Sequence, residues 1–220
     1  MTTLTRVLGL GSAAAFAGFP LVRPWGDKSS DPAAMVDAFA SSEWVIAHSL
    51  GMIAWVLLAA TLVSLARADA GSRLTAWVAG IGTAAILPYY GAETFGLHGL
   101  AVAANTDSDI SLVSTAQESI RGGAAAATCF GVGLLLLAAA GVAIATTTWR
   151  SGTSLRWLGV PVGLGLLTYL PQFFTPNVIR QAHGVALALT LALWLLLRED
   201  SPATPAPAQA QVAAKAPTGV

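Results

Sequence analysis

The sequence predicts an all-α integral membrane protein, a polytopic bundle of about six transmembrane helices. Of its 220 residues, 55% are hydrophobic and only 10% are charged, and the mean hydropathy is +0.68. A soluble domain carries about 25% charged residues, because it must cover its core with a solvated surface. The few charged residues lie mostly between six long apolar segments, so we expect the lipid bilayer to surround most of this chain.

Each apolar segment approaches the roughly 20 residues that a helix needs to cross a bilayer core of about 30 Å. Backbone amides in lipid must bond within their own segment, so the segments are predicted to be helices rather than strands. The predicted spans are 4–22, 44–66, 74–92, 122–148, 155–172 and 178–197. The first span is also compatible with a cleaved signal peptide, which would leave five spans.

The basic residues predict a plasma-membrane protein with both termini in the cytoplasm. Cytoplasmic loops carry an excess of Lys and Arg, and an inner N-terminus places seven of the 11 basic residues inside and four outside. The inner set is Arg6, Arg67, Arg73, Arg150, Arg156, Arg198 and Lys215, and the outer set is Arg23, Lys28, Arg121 and Arg180. The opposite orientation would leave the minority of positive charges inside.

The segments outside the spans divide into two longer loops and a tail. Loops 23–43 and 94–121 are predicted on the outer side, and we interpret the second as a solvated connector rather than a lid. Residues 199–220 alternate Pro and Ala, a pattern that can neither bury a core nor propagate a helix. This tail is therefore predicted to be disordered and cytoplasmic. The preference for Arg over Lys, with many Ala and Gly, is typical of a bacterial genome rich in GC.

Composition also excludes some functions. A net charge of zero leaves no basic surface for nucleic acid. The single cysteine, Cys129, cannot form an internal disulfide or a paired-cysteine metal site. Glycines in the fourth and fifth spans are predicted to allow close helix packing rather than to bind phosphate, since no strand precedes them. These are Gly131, Gly133, Gly159, Gly163 and Gly165.

Polar residues are predicted to converge at the outer end of the bundle. His48 and His183 lie about one turn inside the second and sixth spans, while Glu93 and His98 lie at the outer end of the third. Ionisable groups in a membrane are costly and face the bundle interior or a wet cavity. The candidate metal ligands are His48, Glu93, His98 and His183, and Glu118, Arg121 and Arg180 complete the polar cluster.

Three functions fit this cluster. A structural or partner-binding role is favoured, with a protein partner or a second copy of the chain, because no complete catalytic motif is present. Alternatively, the four candidate ligands hold zinc or iron in an intramembrane enzyme or metal-binding protein. A third hypothesis places haem b between His48 and His183. A transporter is disfavoured, because the deep interior of the spans is nearly uncharged.

Overall fold

The structure, a computed structural model, describes residues 1–66, 70–107 and 110–198. Within these ranges the chain is helical and contains no strand, as the sequence predicts. The predicted tail, residues 199–220, lies outside the described residues. The helices are α1 (Thr3–Val22), α2 (Pro32–Ala40), α3 (Ser42–Leu65), α4 (Ala70–Gly91), α5 (Leu97–Asp107), α6 (Ile110–Gly122), α7 (Ala124–Arg150), α8 (Arg156–Leu167) and α9 (Asn177–Leu196).

Four helices of the described residues are long and apolar enough to cross a membrane: α1, α3, α7 and α9. Helix α8 is apolar but has only 12 residues, because the chain turns after Leu167 and forms a 3-10 turn at Pro171–Phe174. Helix α4 has 22 residues and is not among the four. These helices support a membrane protein of the all-α class, and they account for four of the six predicted spans.

Six of the helices form a closed ring. Helix α1 packs on α3, α3 on α4, α4 on α7, α7 on α8, α8 on α9, and α9 returns to α1. Glycines bring some of these helices close together: a Cβ atom added to Gly141 of α7 would lie 2.5 Å from the carbonyl oxygen of Gly163 in α8. Small residues at helix contacts are typical of membrane bundles. Close packing is therefore confirmed at Gly133, Gly159, Gly163 and Gly165, whereas Gly131 has no atom within 4 Å of its added Cβ.

Aromatic side chains fill the interior of the ring. The ring of Trp55 in α3 lies 4.9 Å from that of Phe16 in α1 and 4.7 Å from that of Tyr169, which follows α8. Both contacts are edge-to-face, the geometry that aromatic quadrupoles favour. Since α3 and α8 are not neighbours around the ring, the contact between Trp55 and Tyr169 crosses its centre.

The two loops predicted on the outer side fold instead into a helical cap, formed by α2, α5 and α6. Asp31 accepts a hydrogen bond from the Ala33 amide and begins α2, with Pro32 at the first helical position. The interpretation of 94–121 as a solvated connector was wrong, because its apolar residues recur at helical spacing and bury one face. The cap core consists of Met35, Val36, Phe39, Leu97, Ala101, Ala104 and Val113, with Trp44 of α3.

Candidate functional site

A network of buried ion pairs joins the cap to one end of the ring, and we call this network the junction. It consists of Arg23, Asp27, Glu93 and Arg121. Asp27 accepts from the Nη2 atoms of Arg23 at 2.5 Å and of Arg121 at 2.9 Å. Arg121 also donates from Nε to Glu93 at 2.8 Å. The two carboxylates therefore neutralise the two guanidinium groups.

The junction draws its members from four separate segments. Arg23 follows α1, and Asp27 lies in the 3-10 turn Trp25–Lys28. Glu93 lies in a π-helical turn, Ala92–Gly96, that connects α4 to α5. Such turns re-aim the side chains of an otherwise regular helix. Arg121 comes from the last turn of α6. The junction thus links the end of the bundle to the cap through residues that lie far apart in the sequence, such as Asp27 and Arg121, which are 94 positions apart.

Aromatic rings enclose the charges of the junction. The guanidinium carbon of Arg23 lies 5.4 Å from the ring centre of Trp44, and that of Arg121 lies 5.6 Å from the same ring. Phe39 covers Arg121 from the cap side at 5.1 Å. Only 1% of Asp27 and 8% of Glu93 is exposed. Water is therefore largely excluded, and each charge depends on its protein partners.

The junction sets the protonation state of its two central members, Asp27 and Arg121. Burial acts to raise the pKa of the Asp27 carboxyl, but the charges of Arg23 and Arg121 outweigh it and hold that pKa below its ordinary value. Burial likewise acts to lower the pKa of Arg121, yet Glu93 and Asp27 raise it above its ordinary value. Both groups are thus held in their charged forms.

The histidines occupy three different environments. His48 is fully buried in α3, where its Nδ1 atom lies 2.9 Å from the Trp44 carbonyl oxygen and its Nε2 atom has no partner among the described residues. His98 bonds from Nδ1 to the Phe39 carbonyl oxygen at 2.8 Å, which ties α5 to α2. His183 lies 3.0 Å from the hydroxyl of Thr168.

The candidate metal ligands are not brought together as a set. In the described part of the chain, no group of three or more His, Cys, Asp or Glu side chains could hold a metal ion. Glu93 is paired with Arg121. The zinc or iron hypothesis stays a prediction, without support from this geometry.

The haem hypothesis also finds no matching geometry. Helix α1 packs against both α3, which carries His48, and α9, which carries His183. Close to the histidines, a Cβ atom added to Gly184 of α9 would lie 2.7 Å from Pro20 of α1, and one added to Gly51 of α3 would lie 3.4 Å from Phe19 of α1. The Phe19 ring of α1 contacts the His48 imidazole at 5.4 Å. These contacts are those of α1 with each of the two helices, and the haem hypothesis stays a prediction without support from them.

The remaining members of the predicted cluster differ in exposure. Arg121 belongs to the junction, Glu118 is exposed on α6, and Arg180 is buried in α9. No site role was predicted from the sequence for Arg23, Asp27 or Trp44. One local signal was available, since Arg23 and Asp27 are four residues apart and oppositely charged, a spacing that favours pairing on a helical turn.

Comparison with known protein families, with curated proteins and with solved structures finds no match for this sequence. The geometry of the chain's own residues is therefore the basis for the function proposed below.

Proposed function

We propose that this chain is a six-span membrane protein with both termini in the cytoplasm, which acts as a binding protein through its cap on the outer face. The six spans are α1, α3, α4, α7, α8 and α9, the members of the ring. The distribution of basic residues supports the orientation, and the packing of α1 within the ring supports its role as a retained span. The capped end then faces the exterior of the cell.

The pairing of charges within the junction supports binding rather than catalysis. Asp27, Glu93, Arg23 and Arg121 bond to one another and hold the cap on the bundle. General acid–base and nucleophilic chemistry need a group that faces a substrate with an unsatisfied proton or lone pair. Charges that neutralise each other in a mostly buried, aromatic enclosure are suited to fixing a surface in place. A fixed outer surface is what recognition of a protein partner requires.

Cysteine labelling tests the orientation. In a C129A background, S30C in the turn before α2 and S151C in the turn after α7 place exposed thiols at opposite ends of the ring. A membrane-impermeant maleimide should label S30C in intact cells and S151C only after permeabilisation. Labelling of both from the same side would contradict the proposed topology.

Photo-crosslinking tests the binding role. A photoreactive amino acid at Leu112 or Glu118, both exposed on α6, should give a discrete adduct in cells, while the same group at Arg150 at the far end should not. Glu93→Gln, which loosens the cap without altering its surface, should reduce that adduct. An adduct of equal yield in the Glu93→Gln variant, or none from the cap, would argue against recognition by a fixed cap.

A further inference from the structure

A small cavity lies beside the junction, between α1, α9 and the turn after α8. Its volume is about 10 Å³, which is room for one water-sized occupant. Phe16, Phe19 and Pro20 of α1 form its apolar wall, and Trp25, Gln172 and Arg180 are among its polar lining. The cavity therefore combines an apolar wall with a buried positive charge.

Arg180 is the main polar feature of this cavity. Only 3% of the residue is exposed, and its Nε and Nη1 atoms have no hydrogen-bond partner among the described residues. The guanidinium carbon lies 5.0 Å from the Trp25 ring and 5.1 Å from the Phe173 ring. In the described chain, Arg23 and Arg121 have carboxylate partners at this end of the ring, whereas Arg180 has none. A buried cation without a counter-ion is costly, so an external anion would relieve it.

The unpartnered side-chain atoms around the cavity have one chemical character. Besides the two nitrogens of Arg180, the buried Nε1 atom of Trp25 lacks a partner in the described residues. All three are N–H donors, and an indole or a guanidinium nitrogen cannot accept a hydrogen bond. A water molecule would have to direct its own two hydrogens elsewhere, whereas an anion presents only acceptor sites to such donors.

The surrounding charge favours an anion as well. Asp27 and Glu93 neutralise Arg23 and Arg121, so Arg180 and Lys28 remain as excess positive charges near the cavity. Burial lowers the pKa of Lys28, and the charges of Arg180 and Arg23 lower it further. Burial is the largest cause of this lowered pKa, and the nearby arginines add to it more than Asp27 opposes it.

We propose that this cavity binds one monatomic inorganic anion, such as chloride, held by the guanidinium of Arg180 and the indole N–H of Trp25. The small volume favours a monatomic anion over sulfate or phosphate, each of which has five heavy atoms. A single oxygen of a lipid phosphate is the other source of a negatively charged acceptor of this size.

Thermal unfolding of the purified full chain in detergent, with the lipid removed, tests the proposal. Chloride replaces gluconate at constant ionic strength, and the midpoint of unfolding is recorded. A saturable rise of about 3–6 °C is expected at a tenfold excess over the dissociation constant. Sulfate at the same ionic strength should give no comparable rise. A midpoint that does not respond to chloride would overturn the proposal.

Three variants test whether chloride raises the unfolding midpoint by binding in this cavity. Arg180→Gln should abolish the rise, and Trp25→Phe, which keeps the ring against Arg180 but removes its N–H, should weaken apparent affinity about tenfold or more. Arg150→Gln removes the same charge from an exposed site at the other end of the ring and should respond like the wild type. An unchanged response in Trp25→Phe would overturn the assignment, even if Arg180→Gln fails to fold.

A second arm separates the two sources of the anion. The same measurement is made without chloride in nanodiscs of phosphatidylglycerol and in lipid-free detergent. The proposal predicts that chloride still raises the midpoint in detergent, with the dependence on Arg180 described above. A rise produced by phosphatidylglycerol alone, and never by chloride, would assign the site to a lipid phosphate and overturn the inorganic anion.

Discussion

Asp27→Asn is the change that tests the junction most severely. Asp27 accepts from two arginines, at 2.5 Å and 2.9 Å, and is 1% exposed. Asparagine is nearly the same size but cannot neutralise either Arg23 or Arg121. Removing one member of a buried ion pair costs about 3–5 kcal/mol, because the remaining charge stays buried. Against a total stability of roughly 5–15 kcal/mol, this is a large loss.

The assay is unfolding of the purified protein in detergent, followed by tryptophan fluorescence against denaturant. Asp31→Asn is the matched control, since Asp31 is exposed and caps α2, a role that asparagine fills about as well. The control should change the unfolding free energy by less than about 0.5 kcal/mol. A second variant, Asp27→Asn with Arg23→Gln, should recover part of the loss, because one uncompensated charge is removed.

The assigned role of Asp27 would be refuted if the unfolding free energy of Asp27→Asn lay within about 1 kcal/mol of the wild type while the Asp31 control behaved as expected. It would also be refuted if the double variant lost the sum of the two single losses. Either result would mean that the arginines find other partners, or water, when the carboxylate is neutral.

Two further predictions concern acid and helix packing. Since Asp27 has a pKa below its ordinary 3.8, its stabilisation is complete above about pH 5 and is lost as the pH falls through the lowered folded-state value. The stability difference between wild type and Asp27→Asn should therefore be constant from about pH 5 to about pH 8 and shrink below about pH 4; a difference that varies between about pH 6 and about pH 8 would contradict this. Gly141→Ala should destabilise the bundle, because its Cβ would meet the Gly163 carbonyl oxygen at 2.5 Å, whereas Gly131→Ala on the same helix has open space and should be neutral or stabilising by up to about 1 kcal/mol. Equal melting temperatures for the two alanine variants would argue against the close contact of α7 and α8.

The long apolar runs of the sequence predict the fold class, and individual helices are predicted best where those runs are longest. Helices α3 and α7, of 24 and 27 residues, are mostly apolar and agree with the predicted spans 44–66 and 122–148 to within two residues at each end. Helix α8 ends after 12 residues, although the apolar run continues, because the chain turns at Leu167 and Pro171. A hydropathy pattern indicates which stretches of the chain are apolar, but it does not indicate where a helix ends within such a stretch.

The cap was missed for a different reason. In α5, Leu97, Ala101 and Ala104 form one apolar face, but the sequence around them is polar enough to resemble a solvated loop. Their partners, Phe39 and Trp44, lie more than 50 residues earlier. A face this narrow is recognisable only when the element that covers it is known.

The sequence predicts which polar residues lie at one end of the bundle, but it does not predict which of them form ion pairs. The ends of the spans indicated which residues lie at one end of the bundle, and Glu93 and Arg121 do meet there. Their partnership bridges 28 positions in the sequence. It depends on the π-helical turn at Ala92–Gly96 and on the position of α6, which no local spacing encodes. For the same reason the separation of His48 from His183 by α1 was not foreseeable.

Hydrogen exchange of the cap helices tests the central claim, that the junction holds a folded cap on the ring, most directly. Slow amide exchange in α2 and α5 is predicted for the wild type in nanodiscs. In a Glu93→Gln variant, exchange should accelerate in α2, α5 and α6 while α7 and α8 keep their protection. Rapid exchange of α2 and α5 in the wild type, at the rate of an unfolded chain, would contradict the account.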